Sequence, residues 1–335
     1  MSSIPLKVIF GGAVLDPING NFATVEDTQV IFHALKEEGI DTVDTAQVYG
    51  QSESLLGQAE AGLSFTVDTK HCGGHIPGQS TRETLLARAE ESLKKLQVDQ
   101  VNIFYIHSPD RATNLTDTLS AVDELFRKGK FKQFGLSNFL AHEVEEVVRV
   151  AKKHGFILPS VFQGSYSAVT RRPETELLPI LRKHNISFYA YSPMAGGFLA
   201  KSREGITAGQ GRWDPASAFG KFNLALFNNA AMLEGLDSWI AISEKWGISQ
   251  PDLAYRWIMY HSALNRQYGD AVIIGASKVT QLHSTMRGLR EGPLLDGAVD
   301  DINAMWEIVK GEAVLDPVNA LMLKGSSSET AMSET

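Results

Sequence analysis

Cysteine is nearly absent from the sequence, since Cys72 is the only one in 335 residues. An intrachain disulfide therefore cannot form, and a zinc site built from several cysteines is excluded. Such low cysteine usage favours a reducing compartment, so we expect a cytoplasmic protein. The hydrophobic core has to hold the fold without covalent staples, and a chain of this length with 43% hydrophobic residues is sufficient for that.

Long apolar runs and an excess of positive charge are also missing. No stretch approaches the ~20 apolar residues of a membrane-spanning helix, and the first residues lack the pattern of a secretory signal. The net charge is −8, without the basic patch of a nucleic-acid binder. These absences argue against a membrane-spanning, secreted or nucleic-acid-binding protein.

The sequence does contain a regular alternation of short β-rich apolar runs with longer stretches of helical spacing. The eight runs are Lys7–Phe10, Thr42–Asp44, Phe65–Lys70, Val101–His107, Phe131–Ser137, Ser160–Gln163, Ile186–Tyr191 and Ala271–Ile274. Strands that alternate with helices predict a parallel sheet, and eight of them at nearly even spacing predict a closed (β/α)8 TIM barrel.

Several segments qualify this simple pattern. They are a helix over Glu174–His184 after the sixth strand, a long Gly-rich loop over Ser192–Phe222, extra helices near Leu224–Trp246 and Pro251–Tyr260 before the eighth strand, and a final helix near Ile302–Lys310. No linker divides the chain. We therefore expect one barrel domain over residues 1–324 and a small, polar, disordered tail over residues 325–335.

Polar residues stand at the carboxyl ends of nearly all the predicted strands. They are Asp44, Lys70, His107, Ser137 with Asn138, Gln163, Tyr191 and Ser277. In a TIM barrel these strand ends form the face that carries the active site. We therefore expect these side chains to converge on one pocket, although they are far apart in sequence.

Tyr49 and three of these residues can deliver a proton to a carbonyl group. A phenol has a pKa of about 10, and a neighbouring ammonium such as that of Lys70 lowers this pKa. Asp44 would keep the ammonium charged and oriented, and His107 could donate a hydrogen bond to the carbonyl oxygen or share a proton with the phenol. None of these side chains can supply a hydride, so the reduction of a carbonyl would need a cofactor.

The motifs around these residues resemble the aldo-keto reductase superfamily from the first strand through the eighth helix. DTAQVYG is similar to the family's Asp-Thr-Ala…Tyr-Gly segment and implies Asp44 and Tyr49 in the catalytic tetrad. The TK and IHSPD segments imply Lys70 and His107 as its other members. Within the superfamily, SPMAGGFLAKS and GRWDP resemble the aflatoxin-aldehyde reductase branch and its fungal relatives.

The resemblance implies reduction of an aldehyde or ketone by NADPH without a metal, and contacts to the substrate from His107 and Trp213. It implies that Ser137, Asn138 and Gln163 hold the nicotinamide carboxamide and that Tyr191 stacks on the ring. Further implied cofactor contacts are Asp44, Ser192, Pro193, Met194, Gly196, Lys201, Arg212, Gly275, Ser277, Lys278, Gln281 and Thr285.

The cofactor segment departs from the family pattern at several positions. Gln281 stands where many members carry an arginine that clamps the 2′-phosphate, and Thr285 stands where an asparagine is usual. Lys278 is a substitute positive charge for the phosphate. We expect NADPH rather than NADH, and the missing GxGxxG motif is not needed in this family.

Each candidate also has a plainer interpretation. Asp44 alone could cap a helix, Tyr49 could be a packed aromatic, and His107 could be an ordinary hydrogen-bonded residue. Trp213 could either shape the substrate pocket or pack the long loop. His71, Cys72 and His75 superficially resemble a metal cluster, but a further ligand is not evident, so we expect no metal.

Two other functions are compatible with the same residues. Potassium-channel β-subunits resemble aldo-keto reductases and act as redox-sensing regulatory partners, and a barrel lyase could use Lys70 as a Schiff base. By analogy, the fungal relatives suggest a place in secondary metabolism, and dimeric members of the branch suggest a homodimer.

Overall fold

Eight parallel strands form a closed barrel in the order β1 to β8, with β8 paired to β1, which confirms the predicted TIM barrel. The computed structural model describes residues 4–18, 21–209 and 213–320. The strands are β1 (Lys7–Gly11), β2 (Thr42–Asp44), β3 (Thr66–His71), β4 (Val101–Ile106), β5 (Phe131–Ser137), β6 (Val161–Ser165), β7 (Ser187–Tyr191) and β8 (Ala271–Ile274).

Helices surround the barrel and cover its outer face. In chain order they are α1 (Val25–Glu37), α2 (Ser52–Gln58), α3 (Ala61–Ser64), α4 (Arg82–Leu96), α5 (Leu115–Arg127), α6 (Ala141–His154), α7 (Pro173–Glu176), α8 (Leu178–Lys183), α9 (Arg203–Thr207), α10 (Ala218–Phe227), α11 (Ala230–Trp246), α12 (Gln250–Tyr260), α13 (Val279–Arg290) and α14 (Asp296–Val309). Among the described residues, no helix is long and apolar enough to cross a membrane.

The strands are apolar because the barrel buries both of their faces. All four residues of β8 are buried, as are all five of β6. Helix starts carry local signals as well. Thr24 and Asp27 form a capping box at α1, and the Thr81 side chain accepts a hydrogen bond from the Thr84 amide at the start of α4.

One predicted strand end is wrong, and one residue expected at a strand end lies beyond its strand. Strand β6 continues past Gln163, because Gly164 and Ser165 pair with β7. Glycine has a low β-propensity, so the sequence pattern ended too early. Strand β8 ends at Ile274, and Ser277 lies in the loop before α13. The other strand limits agree with the predictions to within one residue.

The helices near β7 are more broken than predicted. The helix expected over Glu174–His184 is split into α7 and α8 around Leu177, because Pro179 has no amide hydrogen for a continuous helix. The helix expected near Leu224–Trp246 is also two helices, since the Asn229 side chain caps α11 at the Met232 amide.

The long segment after β7 is not only a loop. It contains a 3₁₀ stretch over Ala195–Ala200 and helix α9, and α10 begins before its predicted end. The Trp239 indole N–H donates to the Leu199 carbonyl at 3.0 Å, which attaches α11 to this segment. The final helix, α14, begins at Asp296, six residues before the start expected from the sequence.

Candidate active site

A buried ion pair joins the ends of β2 and β3. The Lys70 ammonium donates to Asp44 Oδ2 at 2.5 Å and to the Thr45 carbonyl at 2.8 Å, and the Lys70 side chain is fully buried. The other carboxylate oxygen, Asp44 Oδ1, accepts from Gln163 Nε2 at 2.9 Å. Asp44 therefore does not act as a helix cap, since Gln51 occupies that position at α2.

The neighbouring carboxylate keeps Lys70 charged. Burial on its own lowers the pKa of Lys70, but Asp44 and then Tyr49 act in the opposite direction, and the resulting pKa lies above its ordinary value. A positive charge is therefore fixed at the carboxyl end of β3 throughout the neutral pH range.

Tyr49 lies close to this charge, in the turn between β2 and α2. The Lys70 ammonium is 4.9 Å from the centroid of the Tyr49 ring, and the Tyr49 side chain is half-buried. Burial raises the pKa of Tyr49, and Lys70 offsets only part of this effect. The ammonium thus lowers the pKa of Tyr49 as expected, but burial outweighs it, and the phenol keeps its proton at neutral pH.

His107 lies beside Tyr49, and a second histidine lies beside His107. The His107 ring meets the Tyr49 ring edge-on at 5.5 Å between centroids, and the His75 ring is 4.4 Å from that of His107. Burial first, and then Lys70, hold the pKa of His107 well below its ordinary range, so the imidazole is neutral. His107 Nδ1 is buried and has no hydrogen-bond partner among the described residues, unlike an ordinary structural histidine.

His75 was expected only as a possible metal ligand, so its place beside His107 was missed. Its position five residues after Lys70, in the loop that follows β3, was the available signal. Across the described ranges, no three His, Cys, Asp or Glu side chains are grouped so that they could hold a metal ion. His71 instead lies 3.3 Å from the Ser80 hydroxyl, and burial lowers the pKa of His71 to about 4.

Asn138 connects the ends of three strands. Its amide nitrogen donates to the His107 carbonyl at 2.8 Å, and its amide oxygen accepts from the Tyr191 hydroxyl at 2.7 Å. The backbone of Asn138 has a φ of 60°, in the left-handed region that non-glycine residues seldom adopt. This residue therefore couples the backbone of His107 to the aromatic ring at the end of β7.

The neighbouring Ser137 supports a place for a nicotinamide at these strand ends. Its hydroxyl is buried and has no hydrogen-bond partner among the residues that the structure describes. Such a group is costly to bury unless a ligand or water completes its hydrogen bonding. The carboxamide of a nicotinamide offers both a donor and an acceptor, so the residues present fit this cofactor.

The predicted contacts after β7 lie together on one bend of the chain. Ser192 and Gly196 have φ values of 55° and 68°, and Pro193 is buried while Met194 is half-buried. Lys201 closes the 3₁₀ stretch and its side chain is partly exposed. These residues follow directly from Tyr191, so they border the same face of the barrel.

The predicted phosphate segment leads from β8 into α13. Gln281 Oε1 accepts from the Ser277 amide and hydroxyl at 2.8 and 3.1 Å. Lys278 precedes the helix and provides no side-chain cap, and Gly275 is exposed with open space around its Cα. The first turn of α13 can thus receive an anion. Thr285 is buried further along this helix.

The structure separates Trp213 from the other candidates. Its side chain is fully buried, and its ring centroid is 6.0 Å from that of Phe198 and 6.1 Å from that of Phe227. These contacts favour the interpretation that Trp213 packs the long segment, and its contact with substrate stays a prediction. Arg212 lies outside the described residues, as does the expected tail.

A parallel barrel with Tyr, Lys, Asp and His around one point at its strand ends defines a class of oxidoreductases that act on carbonyl groups. The sequence model described as "Aldo/keto reductase family" matches residues 7–307, and the chain belongs to this family. Members of the family depend on a nicotinamide cofactor.

Named relatives agree with this class. The chain is 38% identical to Oxidoreductase sirO of Leptosphaeria maculans over 292 residues. This aligned region covers 87% of this chain and 88% of the relative. It is 38% identical over 293 residues to Aflatoxin B1 aldehyde reductase member 2 of Rattus norvegicus, covering 83% and 80%. Aldo-keto reductase pigE of Monascus ruber is 29% identical over 310 residues, covering 88% and 90%. The resemblance to the aflatoxin-aldehyde reductase branch is thereby confirmed.

Proposed function

We propose that the protein reduces an aldehyde or ketone to the alcohol with NADPH, and that Tyr49 provides the proton. The observation that carries this proposal is that the Tyr49 ring lies close to both the Lys70 ammonium and a neutral His107. When bound, reduced nicotinamide supplies the hydride.

The chain's own groups account for the proton. The raised pKa keeps the proton on the Tyr49 oxygen until negative charge develops on the carbonyl oxygen of the substrate. Lys70, kept charged by Asp44, then stabilises the phenolate that remains. The neutral imidazole of His107 donates a hydrogen bond to the same carbonyl oxygen and orients it.

The strand ends would hold the nicotinamide half of the cofactor. Ser137, Asn138 and Gln163 would bind the carboxamide, and the unpartnered Ser137 hydroxyl supports this assignment. Tyr191, fixed through its hydroxyl by Asn138, would present its ring to the nicotinamide. The bend after β7 would follow the cofactor toward its phosphates.

The preference for NADPH rests on the segment around the start of α13. An uncapped helix N-terminus with Lys278 before it favours an additional phosphate group. Gln281 is engaged with Ser277, so it orders this loop and leaves the positive charge to Lys278 and Arg212. Replacing Lys278 with alanine should therefore weaken the binding of NADPH more than the binding of NADH.

An aldehyde is the favoured substrate class, because the names of relatives include aldehyde reductases. A place in secondary metabolism and a homodimeric state stay predictions.

Steady-state oxidation of NADPH and NADH with 4-nitrobenzaldehyde and a panel of other carbonyls tests the proposal. We expect turnover with NADPH, and a kcat/KM for NADH lower by about tenfold or more, which corresponds to about 1.4 kcal/mol. Tight cofactor binding without turnover over the whole panel would instead favour the regulatory alternative. Borohydride trapping of a substrate on Lys70 would favour the lyase.

A further inference from the structure

A short C-terminal segment, residues 316–320, reaches the strand ends of the active site from beyond the 7–307 range of the family match. It follows α14 and begins a helical turn that Asp316 caps, since Asp316 Oδ1 accepts from the Asn319 amide at 2.7 Å. Asp316 and Asn319 are both buried, so the segment is anchored next to these strand ends.

The side chain of Asn319 uses both of its ends. Its amide nitrogen donates to the Asn138 carbonyl at 2.7 Å, and also to Asp316 Oδ1 at 3.0 Å. Its amide oxygen accepts from Arg111 Nη2 at 2.6 Å, and Arg111 Nε in turn donates to Glu143 at 2.9 Å. Asn319 is therefore held by two neighbours while it holds the Asn138 carbonyl.

The contact falls on a residue with an unfavourable backbone conformation. Asn138 lies in the left-handed region, with a φ of 60°. Such conformations are unfavourable for a residue with a side chain and persist only when the surroundings fix them. The side chain of the same residue fixes the Tyr191 hydroxyl and the His107 carbonyl. Rotation of the Asn138 peptide would thus disturb the positions of the Tyr191 ring and of the His107 backbone together.

We infer that Asn319 is a positioning residue for the nicotinamide half of the cofactor site, acting through the hydrogen bond from its amide to the Asn138 carbonyl. It touches neither substrate nor cofactor. The inference rests on the proposed function, in which Asn138 and Tyr191 face the nicotinamide.

A merely structural role for Asn319 makes a different prediction. General loosening of the chain would weaken binding of both ends of the cofactor equally. A misplaced Asn138 would weaken binding of the nicotinamide end alone. The ligand 2′-phospho-ADP-ribose lacks the nicotinamide but keeps the adenosine, its 2′-phosphate and the diphosphate. The ratio of its Kd to that of NADPH therefore reports on the nicotinamide end.

The experiment measures both Kd values by isothermal titration calorimetry for the full chain and for Asn319→Ala and Asn319→Asp. Aspartate keeps an acceptor for Arg111 but cannot donate to the Asn138 carbonyl. Asn303→Ala and Asn303→Asp are matched controls, because Asn303 Oδ1 also accepts from an arginine, Arg171 Nη1 at 2.8 Å, but lies on the exposed side of α14.

We expect both Asn319 variants to raise the Kd of NADPH by about threefold to tenfold, the range for one lost hydrogen bond. The Kd of 2′-phospho-ADP-ribose should stay unchanged in the Asn319 variants. In both Asn303 controls, the Kd values of both ligands should stay unchanged. Equal weakening of both ligands, or no weakening of NADPH, would overturn the role of Asn319. If the unmodified protein did not bind NADPH, the proposed function itself would fail, and the inference with it.

Discussion

Replacement of Lys70 by methionine removes the one charge that neutralises Asp44 in the barrel. Methionine has a similar length but cannot donate to Asp44 Oδ2 or to the Thr45 carbonyl. Removing one partner of a buried ion pair typically costs about 3–5 kcal/mol, because the other charge is left without compensation. We expect Lys70→Met to lower the free energy of unfolding by about this amount at pH 8.

The loss should depend on pH in a definite direction. The pKa of Lys70 is raised, so the stability of the pair is present below the ordinary lysine pKa and is lost only as pH rises above it. The unmodified protein therefore keeps this contribution between pH 5 and pH 8. In Lys70→Met, protonation relieves the unpaired Asp44 carboxylate, so the loss should be smaller at pH 5 than at pH 8.

Urea unfolding followed by circular dichroism at the two pH values tests this reasoning. The double variant Lys70→Met/Asp44→Asn is the control, because it removes both charges and should be less destabilised than the sum of the two single variants. Additive losses in the double variant, or an equal loss for Lys70→Met at both pH values, would refute the idea of an energetically coupled buried pair.

Three further predictions concern neighbouring groups. Burial raises the pKa of Asp68 to about 7, so the free energy of unfolding falls as pH rises from the ordinary pKa of an aspartate to 7. Asp68→Asn should therefore raise the free energy of unfolding more at pH 8 than at pH 5, by about 3 kcal/mol at most, and an equal change at both pH values would contradict this. The pKa of His107 lies well below its ordinary range, so the pH profile of kcat/KM for carbonyl reduction should not bend near pH 6.5. If kcat/KM fell below pH 6.5 in the unmodified protein but not in His107→Asn, the imidazole would be ionising there, and the prediction would be wrong. Trp213→Ala should cost about 3–5 kcal/mol of unfolding free energy, as for a buried tryptophan; unchanged stability with a raised KM would support a substrate contact instead.

Much of the barrel could be predicted from the sequence because its cause is local. Parallel strands buried on both faces have to be apolar throughout, which made runs such as Phe131–Ser137 and Ala271–Ile274 visible with their observed limits. The order of strands then placed the polar residues at their ends. Asp44, Lys70 and Gln163 were expected to converge, and they are joined by hydrogen bonds.

Other features depend on contacts between distant segments. Nothing near Asn319 in the sequence indicates that its amide reaches the Asn138 carbonyl, 181 residues away. The net direction of the Tyr49 pKa could not be predicted either, because desolvation depends on all the groups packed around the phenol. Local signals were available for the split at Leu177, since Pro179 interrupts the helical pattern.

The transfer of a proton from Tyr49 is tested most directly by a single-turnover experiment with Tyr49→Phe. The enzyme saturated with NADPH is mixed with 4-nitrobenzaldehyde, and the loss of NADPH absorbance is followed by stopped flow. Phenylalanine keeps the ring that packs beside Lys70 and His107 but lacks the proton. We expect the rate to fall by about 10²–10⁴-fold, with the Kd of NADPH unchanged. A rate close to that of the unmodified protein would contradict the account.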